Sequence, residues 1–181
     1  VCVPPYYVAL ARHLLEQHAA NLELATAVGF PHGYSSTPAK VEEIKKATDD
    51  GADEVDAVIN HCAVKSGQWG FVENDIDSMC TAARLRGKKI KITLETALLS
   101  VGEIRQLAKI LLAAKPDFVK TATGVNGSSS LETVQLLKEV LGEQIPIIAA
   151  GNVHSRQEAE AFLQAGVQRM GTPFGIDILQ E

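Results

Sequence analysis

Short apolar runs rich in β-formers alternate along this chain with longer stretches whose apolar residues recur at helical spacing, and the alternation repeats seven times. Val1-Cys2-Val3, closed by Pro4-Pro5, reads as a first strand, and residues 6–20 carry Val8, Leu10, Ala11, Leu14 and Leu15 at helical intervals. A second strand is expected over 22–30. The turn Pro31-His32-Gly33-Tyr34 follows, and Thr37-Pro38 predicts a helix start, with threonine capping and proline at the first helical position, ending near Gly51. Residues 55–60 form the third strand, and 69–86 the next helix, with Phe71, Ile76, Met79, Cys80 and Ala83 on one side and Gly87 stopping it. The fourth strand, 89–96, alternates cleanly: Ile90, Ile92 and Leu94 share one face, Lys91, Thr93 and Glu95 the other. Ser100 with Glu103 makes a capping-box pattern for a helix reaching about Lys115, and Ser155 with Glu158 repeats the device. Between them lie the strand around Lys120, a loop over 124–129, a helix over 131–141 and a strand over 145–150. A helix to Gly166, a last strand over 167–171 and the turn Thr172-Pro173-Phe174-Gly175 complete the pattern.

Successive strand–helix units with short, right-handed connections imply a parallel sheet with helices outside it. Polar residues at the C-terminal ends of several strands, among them Asp56, Asn60, Lys91, Glu95 and Lys120, favour a barrel over an open sheet. No GxGxxG follows the first strand, so nothing supports dinucleotide binding. The expectation is one domain over 1–181, a (β/α)8 TIM-type barrel of which seven units are evident, with the first strand missing ahead of Val1.

The net charge of −5 and the interleaving of lysines with acids argue against a nucleic-acid partner. Three cysteines, Cys2, Cys62 and Cys80, are an odd number without metal spacing, which predicts a reducing, cytoplasmic setting. No apolar run reaches the length of a membrane span, and no signal sequence opens the chain.

The chemistry centres on Phe118-Val119-Lys120-Thr121-Ala122-Thr123-Gly124, where a lysine interrupts an otherwise apolar strand. Burial favours the neutral amine, which attacks carbonyls; a lysine that snorkels to water or pairs with a carboxylate is the plainer alternative. Asp56, between valine and alanine, reads equally as an acid/base or as the partner of Lys91 or Lys120. Cys2 reads as a small buried hydrophobe. His32, His61 and Cys62 lack ligand spacing and fall in separate loops, so no metal is expected. Gly124, Gly151 and Gly171 serve tight turns, or an anion cradle after the late strands.

The segment 118–124 resembles the Schiff-base motif of the deoxyribose-phosphate aldolase family. Three further segments are similar to that family in the same order: Val1-Cys2-Val3, Ala52-Asp53-Glu54-Val55-Asp56 and Lys91-Ile92-Thr93-Leu94-Glu95-Thr96. The resemblance implies a class I lyase of carbohydrate metabolism that reversibly cleaves 2-deoxy-D-ribose 5-phosphate to acetaldehyde and glyceraldehyde 3-phosphate, with no cofactor, small-molecule aldehyde and sugar-phosphate partners and a homodimer as candidate assembly. It implies Lys120 as the imine former, Asp56 as the proton carrier through water, and Lys91 as a second cation able to depress the amine's pKa. It implies substrate contacts from Cys2, Glu95, Thr121, Gly124, Gly151, Asn152, Gly171 and Thr172. Two departures stand out. The family's second catalytic lysine is replaced by Ile148, which predicts weakened turnover or a non-catalytic sugar-phosphate binder. The phosphate turn is eroded to Gly151-Asn152, His154 and Gly171-Thr172-Pro173-Phe174, which also leaves open an aldolase for a non-phosphorylated acceptor.

Overall fold

The computed structural model describes residues 1–151 and 153–180 and builds each repeat as a strand followed by helix. The strands are β1 (Cys2–Val3), β2 (Ala25–Val28), β3 (Glu54–Val58), β4 (Lys89–Thr93), β5 (Phe118–Lys120), β6 (Ile147–Ala150) and β7 (Arg169–Gly171). The helices are α1 (Val8–Gln17), α2 (Thr37–Asp49), α3 (His61–Lys65), α4 (Trp69–Leu85), α5 (Val101–Ala114), α6 (Leu131–Leu141), α7 (Arg156–Gln164) and α8 (Gly175–Gln180). Strand order follows chain order. The pairings are parallel, with Thr26 opposite Val3 and Val55, and Ile148 opposite Lys120 and Arg169. Two compact units divide the chain, one from Val1 to Ile92 and one from Thr93 onward.

In the first unit all five residues of β3 are buried, as expected of a parallel strand covered on both faces. Val8, Leu24, Ile44, Val55, Ile76 and Met79 fill its core. α2 also turns a lysine inward. Lys40 is 0% exposed, and its Nζ donates to Val58 O at 2.9 Å and to Asp75 Oδ2 of α4 at 2.7 Å. Thr37 Oγ1 donates to the other carboxylate oxygen at 2.7 Å. Burial pulls the Lys40 pKa below its ordinary value, and the Asp75 carboxylate opposes that shift.

Thr37 is therefore the first helical residue and not the cap. Ser36 takes the cap position, Pro38 sits in the first turn, and the Thr37 hydroxyl is committed to Asp75. Phe71 faces outward at 39% exposure, and Val72 takes the inward place. On α1 only Val8 is buried, and Leu10 and Leu14 are exposed. α3 was not evident from periodicity because its five residues are too few to show a helical repeat; Asn60 starts it, accepting from Ala63 N at 3.0 Å.

In the second unit Leu107, Leu111, Val119, Leu137, Leu141 and Ile147 are buried. The Ser100–Glu103 capping box is complete: Glu103 N donates to Ser100 Oγ at 3.3 Å and Ser100 N to Glu103 Oε2 at 2.7 Å. At α7 the device is shifted by one residue. Glu158 N donates to Ser155 Oγ at 3.2 Å, but the Glu158 carboxylate accepts from His154 N at 2.8 Å. α8 takes up the chain beyond the turn expected at 172–175.

Asp75→Ala strands a buried ammonium and is expected to destabilise the fold by about 3–5 kcal/mol in urea denaturation. Lys40→Met combined with Asp75→Leu removes both charges and is expected to recover most of that loss.

Candidate active site

In the first unit, strand alternation puts Glu54 and Asp56 on one face of β3. Lys91 of β4 reaches both, with Nζ 2.8 Å from Glu54 Oε2 and 2.8 Å from Asp56 Oδ1. Asp56 is 5% exposed and Lys91 7%, so water contributes little to solvating any of the three. Burial alone lowers the Lys91 pKa, but the charges and hydrogen bonds of Asp56 and Glu54 outweigh it and hold the ammonium above its ordinary range. One cation is shared by two carboxylates.

In the second unit, Lys120 is the last residue of β5 and is half-buried. Its carbonyl accepts from Leu94 N at 2.9 Å, and the next residue is held on both sides, Thr96 N to Thr121 O at 2.8 Å and Thr121 N to Ile148 O at 3.0 Å. The side chain runs towards β7: a Cβ added to Gly171 would lie 3.7 Å from Lys120 Cε. Ile148, the register neighbour of Lys120, is buried.

Glu95 and Thr121 support this strand end. The fourth strand stops at Thr93, earlier than alternation suggested, because Glu95 takes a left-handed backbone (φ 51°) that turns its buried carboxylate onto Thr123 N. A non-glycine residue in that conformation costs about 1–2 kcal/mol. Thr121 is fully buried, and its hydroxyl belongs to a closed relay. Ala150 N donates to Thr121 Oγ1 at 3.0 Å, Thr121 and Ser129 share a short hydroxyl contact, and Ser129 Oγ donates to Ala150 O at 2.6 Å. The relay ties the loop after β5 to the end of β6. Gly151 follows at φ 89°, and a Cβ there would come within 2.8 Å of Gly127 O, so that loop lies directly against it. Gly124, also at positive φ, approaches Gly151 from the same loop.

At the end of β7, Thr172 Oγ1 donates to Val153 O at 2.6 Å and accepts from Phe174 N at 3.0 Å. The Phe174 ring lies 4.7 Å from that of His154. Asn152 lies outside the described residues. Cys2 is exposed on β1, contrary to the buried-hydrophobe reading. His61 and Cys62 open α3 together and do not come from separate loops; His61 Nδ1 is 3.0 Å from His32 O. Among the described residues no three or more His, Cys, Asp or Glu gather as a metal would require, and no helix is long and apolar enough to cross a membrane. Glu54 and Ser129 are the residues that sequence reasoning missed. Glu54 had a signal in its i, i+2 spacing from Asp56, whereas Ser129 was hidden in the serine run 128–130.

Seven parallel strands with intervening helices and a strand-end lysine define a TIM-type α/β protein, and aldolases are among the solved structures it matches. One, the aldolase QR15, superposes with a TM-score of 0.92 at 34% identity, covering 99% of this chain and 79% of that one. The tetrameric deoxyribose phosphate aldolase of Aeropyrum pernix gives a TM-score of 0.89 at 25% identity, over 99% of this chain and 75% of its own. A deoxyribose-phosphate aldolase of Thermococcus gammatolerans is 39% identical over 181 residues, 99% of this chain and 80% of the relative. The profile of the DeoC/LacD family of aldolases matches residues 1–178, and the chain belongs to that family, a family of lyases.

Lys91→Met is expected to destabilise the first unit by about 3–5 kcal/mol near neutral pH, because it leaves two carboxylates buried without their cation. The Lys91 pKa is raised above 10.5 on folding, so its contribution is full below that pH and is lost as pH rises through the folded value. Thermal melts of wild type and variant should therefore differ by a constant amount up to about pH 10 and converge above it.

Proposed function

We propose that the chain is a class I aldolase acting on 2-deoxyaldoses of the deoxyribose type, with 2-deoxy-D-ribose 5-phosphate, the substrate in its relatives' name, as the reference compound. The observation that carries this reading is a half-buried lysine at the C-terminal end of β5, inside the Phe118–Gly124 motif, in a chain of an aldolase family. The neutral Lys120 amine adds to the aldehyde carbon of the open-chain sugar, and loss of water gives the imine. A base takes the proton of the C3 hydroxyl and the C2–C3 bond breaks. Its electron pair moves into the iminium to form an enamine, and the C3 fragment leaves as an aldehyde. Protonation of the enamine carbon and hydrolysis then return acetaldehyde and the free amine. Asp56, in its cluster with Lys91 and Glu54, is the proposed proton carrier, working through water. Glu95, Thr121 and the glycines at 124, 151 and 171 position the strand ends, with Cys2, Asn152 and Thr172 as remaining contact candidates. A homo-oligomer in a reducing cytoplasm is the proposed setting, supported by the tetrameric relative and the odd cysteine count.

A second reading, a sugar-phosphate binder with little turnover, is favoured by Ile148 standing in register beside Lys120. The two separate by acetaldehyde release. Release by the wild-type chain supports the aldolase and its absence the binder; Lys120→Ala is expected to abolish release in a chain that still folds, and undiminished release would overturn the imine on Lys120. Asp56→Asn should lower kcat by about 10²- to 10⁴-fold. Ile148→Lys should raise kcat if the missing amine limits the rate; an unchanged kcat contradicts that account.

A further inference from the structure

We infer that the acceptor half of this site is built for an uncharged short-chain aldehyde and not for a phosphorylated one, an inference that rests on the imine reading above. In β/α barrels a phosphate is held by backbone N–H groups in the loops after the last two strands and at the start of a short helix there. In this chain those loops follow β6 and β7, and among their described residues the backbone donors of His154 and Phe174 are committed elsewhere. Pro173 has no N–H to offer. Phe174 N–H donates to Thr172 Oγ1 at 3.0 Å, and the Thr172 hydroxyl in turn donates to Val153 O at 2.6 Å, so one turn is laced to the other by its own polar groups. His154 N–H donates to Glu158 Oε2 at 2.8 Å.

Side chains reinforce the point. The His154 and Phe174 rings bridge the two turns with centroids 4.7 Å apart and a tilt of 40°, which sets an apolar ring against the His154 imidazole. Arg156, the first residue of α7, is engaged with Glu160 at 2.9 Å, and Arg169 of β7 lies over the Phe118 ring at 4.4 Å. A phosphate dianion stripped of water needs several charge-assisted hydrogen bonds in return. A neutral aldehyde needs none of them, and its carbon tail gains by lying against the Phe174 ring.

The test compares 2-deoxyribose with 2-deoxyribose 5-phosphate on the wild-type chain and titrates inorganic phosphate as an inhibitor. The donor half is read separately, from exchange of acetaldehyde methyl protons with deuterium oxide, which needs the enamine but no acceptor. The expected result is exchange, kcat/KM values for the two sugars within about tenfold of each other, and no competition by phosphate. Pro173→Ser with Phe174→Ser, which restores a donor and removes the ring, should shift preference towards the phosphorylated sugar by about tenfold or more. Exchange together with a preference above about a hundredfold for the phosphorylated sugar, or with competitive inhibition by phosphate, overturns the inference and leaves the imine reading standing. Absence of exchange overturns the imine reading itself. Phosphorus NMR of inorganic phosphate against the wild-type chain then decides the acceptor question: binding overturns the exclusion of phosphate, and no binding sustains it.

Discussion

The backbone ladder around β5 is the constraint on which the rest of the site depends. Only three residues of β5 are regular strand, yet the ladder extends beyond them: Val119 N to Pro146 O at 3.0 Å, Leu94 N to Lys120 O at 2.9 Å and Thr121 N to Ile148 O at 3.0 Å. These bonds fix the Lys120 backbone from both neighbouring strands, so the amine's freedom is that of its side chain alone. The Glu95 carboxylate on Thr123 N and the Thr121–Ser129–Ala150 relay extend the same control past the strand end. Precise placement of a nucleophile depends on rigid support of this kind, because catalytic geometry tolerates little displacement.

Charge is handled differently at the two buried lysines of the first unit. Lys40 has one carboxylate partner, which also accepts from the Thr37 hydroxyl, and a strand carbonyl, so the cluster is balanced and its role is to join α2, α4 and the end of β3. Lys91 faces two carboxylates. Its three N–H donors meet two carboxylates, where those of Lys40 meet one carboxylate and one backbone carbonyl. Asp56 is thus held as an ion-pair partner of Lys91, the plainer of its two sequence readings.

Much of the fold was legible because its signals are local. The Ser100–Glu103 box, the glycines after helices and the alternation in 89–93 are all determined by residues close in sequence, and each element stands where they indicated. What was not legible depended on partners distant in sequence. Thr37 has every local qualification for a cap but gives its hydroxyl to Asp75, 38 residues away. Glu95 looked like the next residue of an alternating strand, yet the amide of Thr123, 28 residues on, draws it into a left-handed turn. α3 and α8 are too short for a 3.6-residue period to register. At the site, Lys120 and Asp56 could be singled out directly, as charges on otherwise apolar strands. Ser129 could not, because a serine in a polar loop looks the same whether its hydroxyl meets water or a buried carbonyl.

The most direct measurement of the central claim is reduction with borohydride in the presence of acetaldehyde, followed by peptide mass spectrometry of the wild-type chain. The account predicts an N-ethyl group on Lys120 and on no other lysine, formed only when acetaldehyde and borohydride are both present. An unmodified Lys120 in a folded chain, or a modification spread evenly over the surface lysines, would contradict it.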